Sequence, residues 1–484
     1  MKKNPGSWIL LLVLPTFFLG SCKTTSTDVV ERGVVYVTTT DKKALLEKME
    51  NRISAGDSSS DIPLIEINTE TSYQTIDGFG YALTGGSAGH IASMDEEARK
   101  ELLQELFGVG KNDIGLSYLR VSIGSSDLNE EIYSYNDLPE GETDEDMSEF
   151  SLDPDREHVI PILKEILEIN PDIKIMASPW SPPVWMKTFD IPVETDRPTD
   201  LPPTVGGGLN PLHEAAYALY FVKYIEGMTG EGITIDAVTI QNEPYHHRNN
   251  PSLHMEPEQM RDFIKNHLGP AFTENNIDTK ILIWDHNADR PEYPISILND
   301  PEAKAYIEGS AFHLYNGSIS ALSTVKQAHP DKNIYFTEQY QDSRGEFGTD
   351  LVWNAEHLII GATRNWSKVV LHWNLTNNTG FTPFTPYGGC SVCKGAVTVE
   401  GNGFERNVGY YITAHASKFV RPGSVRIASN QTDELLNVAF KNISGDIVLI
   451  VLNKEDRNQE VNISVDGELY SLTIIRNSIS TILL

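Results

Sequence analysis

The chain has few basic residues, and this shortage narrows the partners that it can bind. Its 484 residues include 38 lysines and arginines but 68 aspartates and glutamates, which gives a formal net charge of −30. Nucleic acids and anionic membrane surfaces both attract basic surfaces, so neither is expected as a partner. A neutral or cationic substrate suits this charge better. The length exceeds that of one ordinary domain, so more than one is expected.

After its first two dozen residues, the chain lacks any apolar run long enough to span a membrane. The N-terminus has two lysines, an apolar run from Trp8 to Leu19 and then small residues, which is typical of a signal peptide over residues 1–22. The letters LGSC, which end at Cys22, resemble a bacterial lipobox and imply cleavage before Cys22 and lipid attachment to its sulfur. An ordinary signal peptide with an incidental cysteine is the alternative. The prediction is an exported protein, lipid-anchored to a bacterial membrane on its outer-membrane, periplasmic or cell-surface side.

Cysteine is scarce too, since only Cys390 and Cys393 accompany Cys22. A zinc site would need two more ligands at zinc-like spacing, and none lies nearby in the sequence. The surrounding sequence does not resemble a thioredoxin-like redox motif either. In an exported protein, the C-x-x-C spacing instead predicts a local disulfide between Cys390 and Cys393.

Short apolar runs alternate with amphipathic helical patterns between residues 61 and 394. Eight runs are predicted as strands, at 75–83, 116–124, 173–180, 237–244, 281–287, 310–315, 333–340 and 369–375. Eight strand–helix alternations predict an α/β fold, a (β/α)8 TIM barrel. A doubly wound sheet is the main alternative. However, no glycine-rich phosphate loop follows the first strand, and polar residues gather at nearly every strand end.

The segments that flank the predicted barrel have different patterns. Residues 23–60 are polar and are predicted to be a tether and N-terminal segment. Short strands without intervening helices fill residues 395–484, which predicts a C-terminal β-sandwich domain. The segment 62–74, directly before the barrel, is expected to be able to add a strand to that sandwich.

Two glutamates stand where a barrel would place catalytic groups. Glu243 follows the fourth predicted strand in TIQNEP, and Glu338 follows the seventh in YFTEQY. Strands four and seven face each other across a barrel mouth, and residues at their C-terminal ends line the active site. Two converging carboxylates are what glycosidic hydrolysis requires, one protonated to assist the departing oxygen and one ionised to act on the anomeric carbon. Solvated or ion-paired strand ends are the alternative.

Aromatic residues at or near the predicted strand ends favour the catalytic interpretation, because their faces suit the apolar faces of pyranose rings. They are Trp180, Trp185, Trp284, Tyr315 and Trp373. Core packing is the alternative for each of them. Asn242, directly before Glu243, has an amide that can donate a hydrogen bond to a sugar 2-hydroxyl.

A set of ordered motifs carries a family resemblance. They are YQTIDGFGYALT, LRVSIGSSD, MASPWSPPVWMKT, TIQNEP, AFHLYNG, YFTEQ, HWNL and HASKFVRPGSVRI. Together they resemble glycoside hydrolase family 30, the group that contains glucosylceramidases and bacterial or fungal β-1,6-glucanases. QNEP alone occurs in many barrel glycosidases, so the specificity comes from the ordered set, which runs from about residue 73 to the C-terminus.

The resemblance implies a retaining mechanism that needs no cofactor and no metal. It implies that Glu243 is the acid/base and Glu338 the nucleophile. Asn242 would then hold the sugar 2-hydroxyl, Asp127 would bind sugar hydroxyls, and Arg120 would support the nucleophile electrostatically. A structural ion pair is the alternative for Arg120.

Other positions match the family pattern at the wall of the sugar site. By the resemblance, Trp180 and Trp373 line the −1 subsite, while His313 and Tyr315 orient the nucleophile. A buried core histidine is the alternative for His313. The strand-five motif IWDHN brings Asp285, His286 and Asn287 toward the site without assigning them roles. The histidines in YHHRNNPSLH, after Glu243, are interpreted as solvated or sugar-contacting rather than metal-binding.

The chain departs from the family pattern in two loops. Gly85-Gly86-Ser87 replaces an expected acidic residue and serine, and the loop after HWNL reads TNNTGFTPFTPYGGCSVCKG in place of an Asp-x-x-Gly-Gly-Pro pattern. The second loop borders the leaving-group side, so the departure leaves the chemistry unchanged but opens the question of substrate. The resemblance also supports pairing of Cys390 with Cys393.

The sequence as a whole predicts a retaining β-glycosidase that hydrolyses β-linked glucans or glucosides. A β-1,6-glucanase or a glucosylceramidase-like β-glucosidase is preferred. The alternatives are a catalytically inactive carbohydrate-binding lipoprotein, a retaining β-xylosidase or xylanase of the same family, and an inverting hydrolase. An inverting enzyme would hold its carboxyl groups more than about 6.5 Å apart.

Overall fold

The computed structural model describes residue 1 and residues 33–50, 52–56, 61–194, 197–432 and 434–484. The predicted signal peptide, with Cys22, and part of the predicted tether lie outside the described residues. In the described part of the chain, no helix is long and apolar enough to cross a membrane.

Eight parallel strands close into a barrel, which confirms the predicted fold class. In chain order they are Gly78–Ala82, Tyr118–Ile123, Lys174–Pro179, Ala237–Thr239, Lys280–Ala288, Ile307–Gly317, Asn333–Glu338 and Ser367–Asn374. Each strand pairs with the next, and the eighth pairs with the first. The strands are buried along nearly their whole length, because helices cover the outside of a parallel barrel, and they therefore read as apolar runs.

Helices and short turns fill the connections. The α-helices are Gly85–Ala92, Glu96–Phe107, Asp153–Arg156, Val159–Ile169, Glu214–Gly230, Pro257–Phe263, Gly269–Glu274, Glu292–Leu298, Pro301–Tyr306, Ala321–Ala328, Phe347–Asn354 and Val408–Ser417. Ile264–Leu268 and Ala355–Ala362 are π-helical, and Val184–Met186, Pro192–Glu194 and Pro211–His213 are 3-10 turns. The connections therefore put the helices outside the barrel and leave its C-terminal mouth to loops.

The second domain is a ten-stranded sheet. In spatial order its strands are Glu47–Met49, Val34–Thr39, Ser478–Leu483, Ile447–Asn453, Leu435–Lys441, Val425–Ser429, Leu64–Thr75, Gln459–Val465, Glu468–Ile474 and Ser54–Ala55. Residues from both ends of this order, such as Val37 and Ile463, pack into one apolar core. The sheet therefore closes on itself as a sandwich. The strand Leu64–Thr75 belongs to it, as the sequence suggests for the segment before the barrel.

The domain limits differ from the predicted ones at both ends of the barrel. Val34–Thr39, inside the predicted tether, is a sandwich strand that pairs with Ser478–Leu483. The predicted sandwich start at residue 395 is too early, because Val397–Glu400 belongs to a small separate sheet and the helix Val408–Ser417 follows it. That helix is buried nearly all round, so it lacks the polar stripe by which an amphipathic helix is recognised.

Two further two-stranded sheets lie in the loops. Lys187–Thr188 pairs with Gly208–Leu209, and Gln341–Asp342 pairs with Cys393–Lys394. The small sheet that contains Val397–Glu400 also includes Thr376–Asn377 and Gly403–Arg406. The pairing of Gln341–Asp342 with Cys393–Lys394 joins the loop after the seventh strand to the loop after the eighth.

Candidate active site

The two predicted glutamates meet at the C-terminal mouth of the barrel. Glu338 is the last residue of the seventh strand, while Glu243 lies four residues beyond the end of the fourth. Their side chains are mostly buried, and one oxygen of each carboxylate lies within 4.8 Å of one oxygen of the other. Glu243 has a φ of 48°, in the left-handed region that residues other than glycine seldom adopt. The chain leaves the strand after Thr239, and the turn that follows places Glu243 at the mouth of the barrel.

Arg120 connects Glu338 to its neighbours. This fully buried guanidinium donates from Nη1 to Glu338 Oε2 at 2.5 Å, and from Nη2 to Asp285 Oδ2 at 2.8 Å and Asn242 Oδ1 at 2.7 Å. A planar guanidinium can hold several acceptors in fixed directions, which a lysine cannot do. Arg120 also lies 4.8 Å from the ring centroid of Trp180. It thereby fixes Glu338 and orients the Asn242 amide.

Asp285 is a central residue of the site to which the sequence assigns no role. It lies at an irregularity of the fifth strand, between paired residues Trp284 and His286, and has a φ of 55°. A bulge of this kind redirects a side chain, and the carboxylate of Asp285 is completely buried. Although burial opposes its charge, Arg120 and His313 hold the pKa of Asp285 well below its ordinary value.

Hydroxyl groups complete the shell around Asp285. Ser178 and Thr239 each donate to Oδ2 at 2.7 Å, and Thr337 donates to Oδ1 at 2.7 Å. These three residues are absent from the sequence prediction. The signal that could reveal them is a serine or threonine near the C-terminal end of a buried strand, just before the motif residues.

His313 lies between the acidic groups. Its Nδ1 is 3.0 Å from Glu243 Oε1 and 3.6 Å from Glu338 Oε1, and its Nε2 is 3.1 Å from Asp285 Oδ1. Burial alone would lower the pKa of His313, but the three carboxylates outweigh it and raise the pKa to about 9. The imidazole is therefore protonated at neutral pH in the unliganded site. The alternative from the sequence, a buried core histidine without a role at the site, does not apply to His313.

The two glutamates respond differently to this environment. Burial raises the pKa of Glu338, with the charge of Glu243 adding to the effect and His313 and Arg120 opposing it. Burial acts in the same direction on Glu243, but His286 and His313 outweigh it and lower its pKa to about 2. Burial lowers the pKa of His286 itself to about 4, so His286 is uncharged at neutral pH. At neutral pH, His313 is therefore the histidine that lowers the pKa of Glu243.

Tyr315 and two tryptophans shape the cavity around the glutamates, which has a volume of about 710 Å³. The Tyr315 hydroxyl donates to Glu338 Oε1 at 2.8 Å. Trp180 and Trp373 stack at 5.2 Å between centroids and line the same cavity. They present a flat apolar wall beside the carboxylates, which suits the face of a sugar ring.

The loop after the eighth strand reaches Asp127, which also lines the cavity. Its backbone N–H at Cys390 donates to Asp127 Oδ2 at 3.2 Å, and the side chain of Asn249 hydrogen-bonds the same carboxylate. Burial, aided by the charge of Glu338, raises the pKa of Asp127 to about 7. Cys390 and Cys393 form a disulfide, so this loop is closed beside Asp127. Asp127 lines the cavity, where a carboxyl group can hydrogen-bond a ligand hydroxyl.

Two of the predicted aromatics do not reach the cavity. Trp284, at the bulge of the fifth strand, packs against Tyr293 at 4.3 Å and is almost fully buried. Trp185 donates its indole N–H to the side-chain oxygen of Asn136 and lines a neighbouring groove. Core packing, the alternative for each, therefore applies to Trp284. Sequence position alone could not separate it from Trp180, because a bulge reverses which way a side chain points.

Comparison with family models covers both domains. Residues 76–420 match the model described as the glycosyl hydrolase family 30 TIM-barrel domain. Residues 423–482 match the family 30 beta sandwich domain. The break between the matches agrees with the observed start of the sandwich strand Val425–Ser429 rather than with residue 395.

Individual relatives span most of the chain. An endo-1,6-beta-D-glucanase of Neurospora crassa is 33% identical over 426 residues, which cover 84% of this chain and 85% of the relative. The lysosomal acid glucosylceramidase of Mus musculus is 28% identical, over 83% of this chain and 79% of the relative. Among solved structures, an endo-β1,6-glucanase superimposes with a TM-score of 0.83 and 34% identity, over 93% of this chain and 98% of that one.

Proposed function

The chain belongs to glycoside hydrolase family 30, and from that premise we propose that it cleaves β-1,6-linked glucan with Glu338 as nucleophile and Glu243 as acid/base. The family, a glycoside hydrolase activity and a retaining β-glycosidase chemistry were all expected from the sequence, and the matches confirm them at that level. The assignment of roles to residues and the choice of substrate are the proposal.

The separation of the two carboxylates carries the proposal. Retaining glycosidases hold their carboxyl groups about 5–5.5 Å apart, whereas inverting enzymes leave about 6.5–9.5 Å for a water molecule. Approach of one oxygen of Glu243 to within 4.8 Å of one oxygen of Glu338 supports direct attack by a carboxylate. It counts against the inverting alternative.

The reaction proceeds in two displacements. In the first, Glu338 attacks the anomeric carbon and forms a glycosyl ester, while Glu243 gives its proton to the departing oxygen. In the second, Glu243 takes a proton from water, the water oxygen attacks the anomeric carbon, and Glu338 leaves as a carboxylate. The product keeps the β configuration.

Glu243 must carry a proton to act as the acid in the first displacement. In the structure, the proton that lies between Glu243 and His313 is held by His313. The two groups are joined by a hydrogen bond of 3.0 Å, so the proton can pass from His313 Nδ1 to Glu243 Oε1. Glu338 then remains the anion, with the Arg120 guanidinium at 2.5 Å and the Tyr315 hydroxyl at 2.8 Å. Both donors favour its ionised form, which is the form that attacks, and oppose the burial that raises its pKa.

The similarity to named glucanases supports glucan as the substrate. The Neurospora crassa relative and the solved endo-β1,6-glucanase are 33% and 34% identical to this chain, and the mouse glucosylceramidase is 28% identical. Purified protein should therefore be incubated with β-1,6-glucan, a glucosylceramide and xylan, and the released sugars identified. Release from β-1,6-glucan above the other two is expected. Preferred release from xylan or the lipid would contradict the substrate assignment.

A carbohydrate-binding protein without catalysis is the competing function, and one variant separates the two. Glu338→Gln removes the nucleophile but nearly preserves side-chain shape, so it should bind a β-1,6-linked oligosaccharide without hydrolysing it. If the protein only binds carbohydrate, the natural chain should also leave the oligosaccharide intact. Hydrolysis by the natural chain and none by Glu338→Gln supports the enzyme.

We further propose that the protein is exported and lipid-anchored through Cys22 to a bacterial membrane. The proposal comes from the N-terminal lysines, the short apolar run and the LGSC letters. A thioether-linked lipid on Cys22 adds apolar chains that favour membrane association. Cys22→Ser should move the protein from the membrane fraction to the soluble fraction. Unchanged fractionation would contradict the anchor.

A further inference from the structure

The loop after strand eight, where the sequence departs from the family pattern, crosses to the loop that carries Asp127. The Thr385 N–H donates to the backbone oxygen of Asp127 at 2.9 Å, and further along the loop the Cys390 N–H donates to its carboxylate at 3.2 Å. The Thr385 hydroxyl donates to the backbone oxygen of Asn250, in the loop after strand four, at 2.5 Å. Residues 385–390 are therefore bonded to two other loops of the barrel mouth.

Asn250 joins the same loops from the other side. Its Oδ1 accepts a hydrogen bond from the Thr204 hydroxyl at 2.7 Å, in the loop after strand three, and its Nδ2 donates to the backbone oxygen of Pro386 at 3.0 Å. Its backbone N–H donates to Asn249 Oδ1 at 2.9 Å, and the Asn249 side chain in turn hydrogen-bonds the Asp127 carboxylate. The loops after strands two, three, four and eight thus meet around Asn250.

Thr385 and Asn250 lie behind the wall of the cavity. Both are only 1% exposed, and in the described part of the chain neither lines the cavity, whereas Asp127, Asn249 and Cys390 do. A bound sugar would therefore touch the three lining residues but not Thr385 or Asn250. Side chains on loops keep a fixed geometry only when surrounding groups fix them. The effect of Thr385 and Asn250 on a sugar must pass through the residues that they hold in place.

We propose that Thr385 and Asn250 are positioning residues for Asp127, an inference that rests on the proposed function. The Asp127 carboxylate hydrogen-bonds hydroxyl groups of the sugar that is being cleaved, and the joined loops set its position. Without the Thr385 hydroxyl, the buried backbone oxygen of Asn250 loses its donor, and the loop that holds Asp127 shifts. A small misplacement of a group that orients the substrate lowers the rate strongly.

A pair of substitutions at Thr385 tests the role of its hydroxyl. Thr385→Val keeps the shape of the side chain without the hydroxyl, while Thr385→Ser keeps the hydroxyl. With β-glucosyl fluoride, whose fluoride leaves readily, kcat/KM should fall about ten-fold in Thr385→Val, which is about 1.4 kcal/mol, and should stay within about two-fold of the natural chain in Thr385→Ser. Thr363→Val is the matched control, because the buried Thr363 hydroxyl donates to the backbone oxygen of Ile359 instead. Its kcat/KM should be unchanged.

A double variant distinguishes positioning from a general loss of structure. Asp127→Ala removes the carboxylate that Thr385 is proposed to position. Thr385→Val added to Asp127→Ala should therefore lower kcat/KM by less than about two-fold further, because the two effects pass through one group and are not additive. Asn250→Asp, which keeps Oδ1 but loses the donor to Pro386, should show the same dependence on Asp127 and serves where Thr385→Val does not fold.

The outcomes separate the positioning role from the function itself. An unchanged kcat/KM in Thr385→Val, or an equal further loss when Asp127 is already alanine, would overturn the positioning role and leave the β-glucosidase chemistry standing. A loss in Thr385→Ser as large as in Thr385→Val would also contradict it, since the hydroxyl is retained. Failure of the natural chain to hydrolyse the fluoride would overturn the proposed function, and the positioning role with it.

Discussion

Arg120 and Asp285 form a buried ion pair at 2.8 Å, and both side chains are completely inaccessible to solvent. Such a pair needs further hydrogen bonds to offset the loss of hydration. Arg120 obtains them from Glu338 and Asn242, and Asp285 obtains them from surrounding hydroxyls and His313. The network fixes the position of Glu338, so under the proposed mechanism its residues serve stability and catalysis together.

Arg120→Met should therefore lower both the stability of the protein and its catalytic activity. Removal of the guanidinium leaves two buried carboxylates without their main donor, and the free energy of unfolding should fall by about 3–5 kcal/mol. Urea unfolding of the variant, alongside assays with β-glucosyl fluoride, measures the two effects. Arg99→Met is the control, because Arg99 pairs with Glu165 near the surface and should change stability by about 1 kcal/mol or less. Equal losses in the two variants would contradict the account.

His313 gives the site a defined dependence on pH. Its pKa in the folded protein, about 9, lies above the ordinary value of 6.5. Its contribution to stability is thus fully present below about pH 6.5 and is lost as the pH rises through 9. The stability difference between the natural chain and His313→Gln should be largest below pH 6.5 and should shrink toward pH 9. Unfolding measured across this range would contradict the account if the difference grew with pH.

At the scale of elements, regular features were predictable and irregular ones were not. The eight barrel strands follow from apolar runs of strand length, and Glu338 follows because it directly ends one of them. The contribution of Asp285 depends on a bulge and on a left-handed φ, which no periodic pattern reports. Trp284, one of the strand-end aromatics for which sugar contact and core packing were both open, packs into the core for the same reason.

Family motifs placed more of the site than periodicity did. Arg120, His313 and Tyr315 contact Glu243 or Glu338 in the structure, and Asn242 accepts a hydrogen bond from Arg120. The hydroxyls around Asp285 were missed because a serine or threonine in a buried strand is common in any sheet. Their roles depend on contacts between strands that are distant in sequence.

The disulfide loop after strand eight supports the sugar site more than the fold. The bond between Cys390 and Cys393 closes so short a loop that its loss should cost about 2 kcal/mol or less. However, the Cys390 N–H donates to Asp127. The double variant Cys390→Ser/Cys393→Ser should therefore raise KM for β-glucosides while kcat changes less. A KM equal to that of the natural chain would show that the loop is positioned without the disulfide.

At the scale of the whole molecule, the two domains share a core. Sandwich residues Val438 and Ile450 pack in the same apolar cluster as barrel residues. His415, on the helix after the barrel, is fully buried and hydrogen-bonded at 2.9 Å to both Thr38 and Thr481 of the sandwich. The sandwich therefore completes the barrel's outer surface as well as forming a domain of its own.

A chain cut to residues 76–420 should accordingly fail to fold as a soluble barrel. It would expose the apolar surface that the sandwich covers and leave His415 without its partners. Expression of this fragment beside residues 33–484, followed by solubility and thermal unfolding measurements, tests the expectation. A soluble fragment with the melting temperature of the longer chain would contradict it.

The central claim is that Glu338 forms a covalent bond to the sugar, and a slow substrate tests it most directly. A 2-fluoro-β-glucosyl fluoride permits the first displacement, because fluoride leaves readily, but its 2-fluorine slows the second. The account predicts that a glycosyl adduct accumulates as activity is lost, and that peptide mass spectrometry locates the adduct on Glu338. An adduct on another carboxylate, or continued turnover of natural substrate with no adduct, would contradict it.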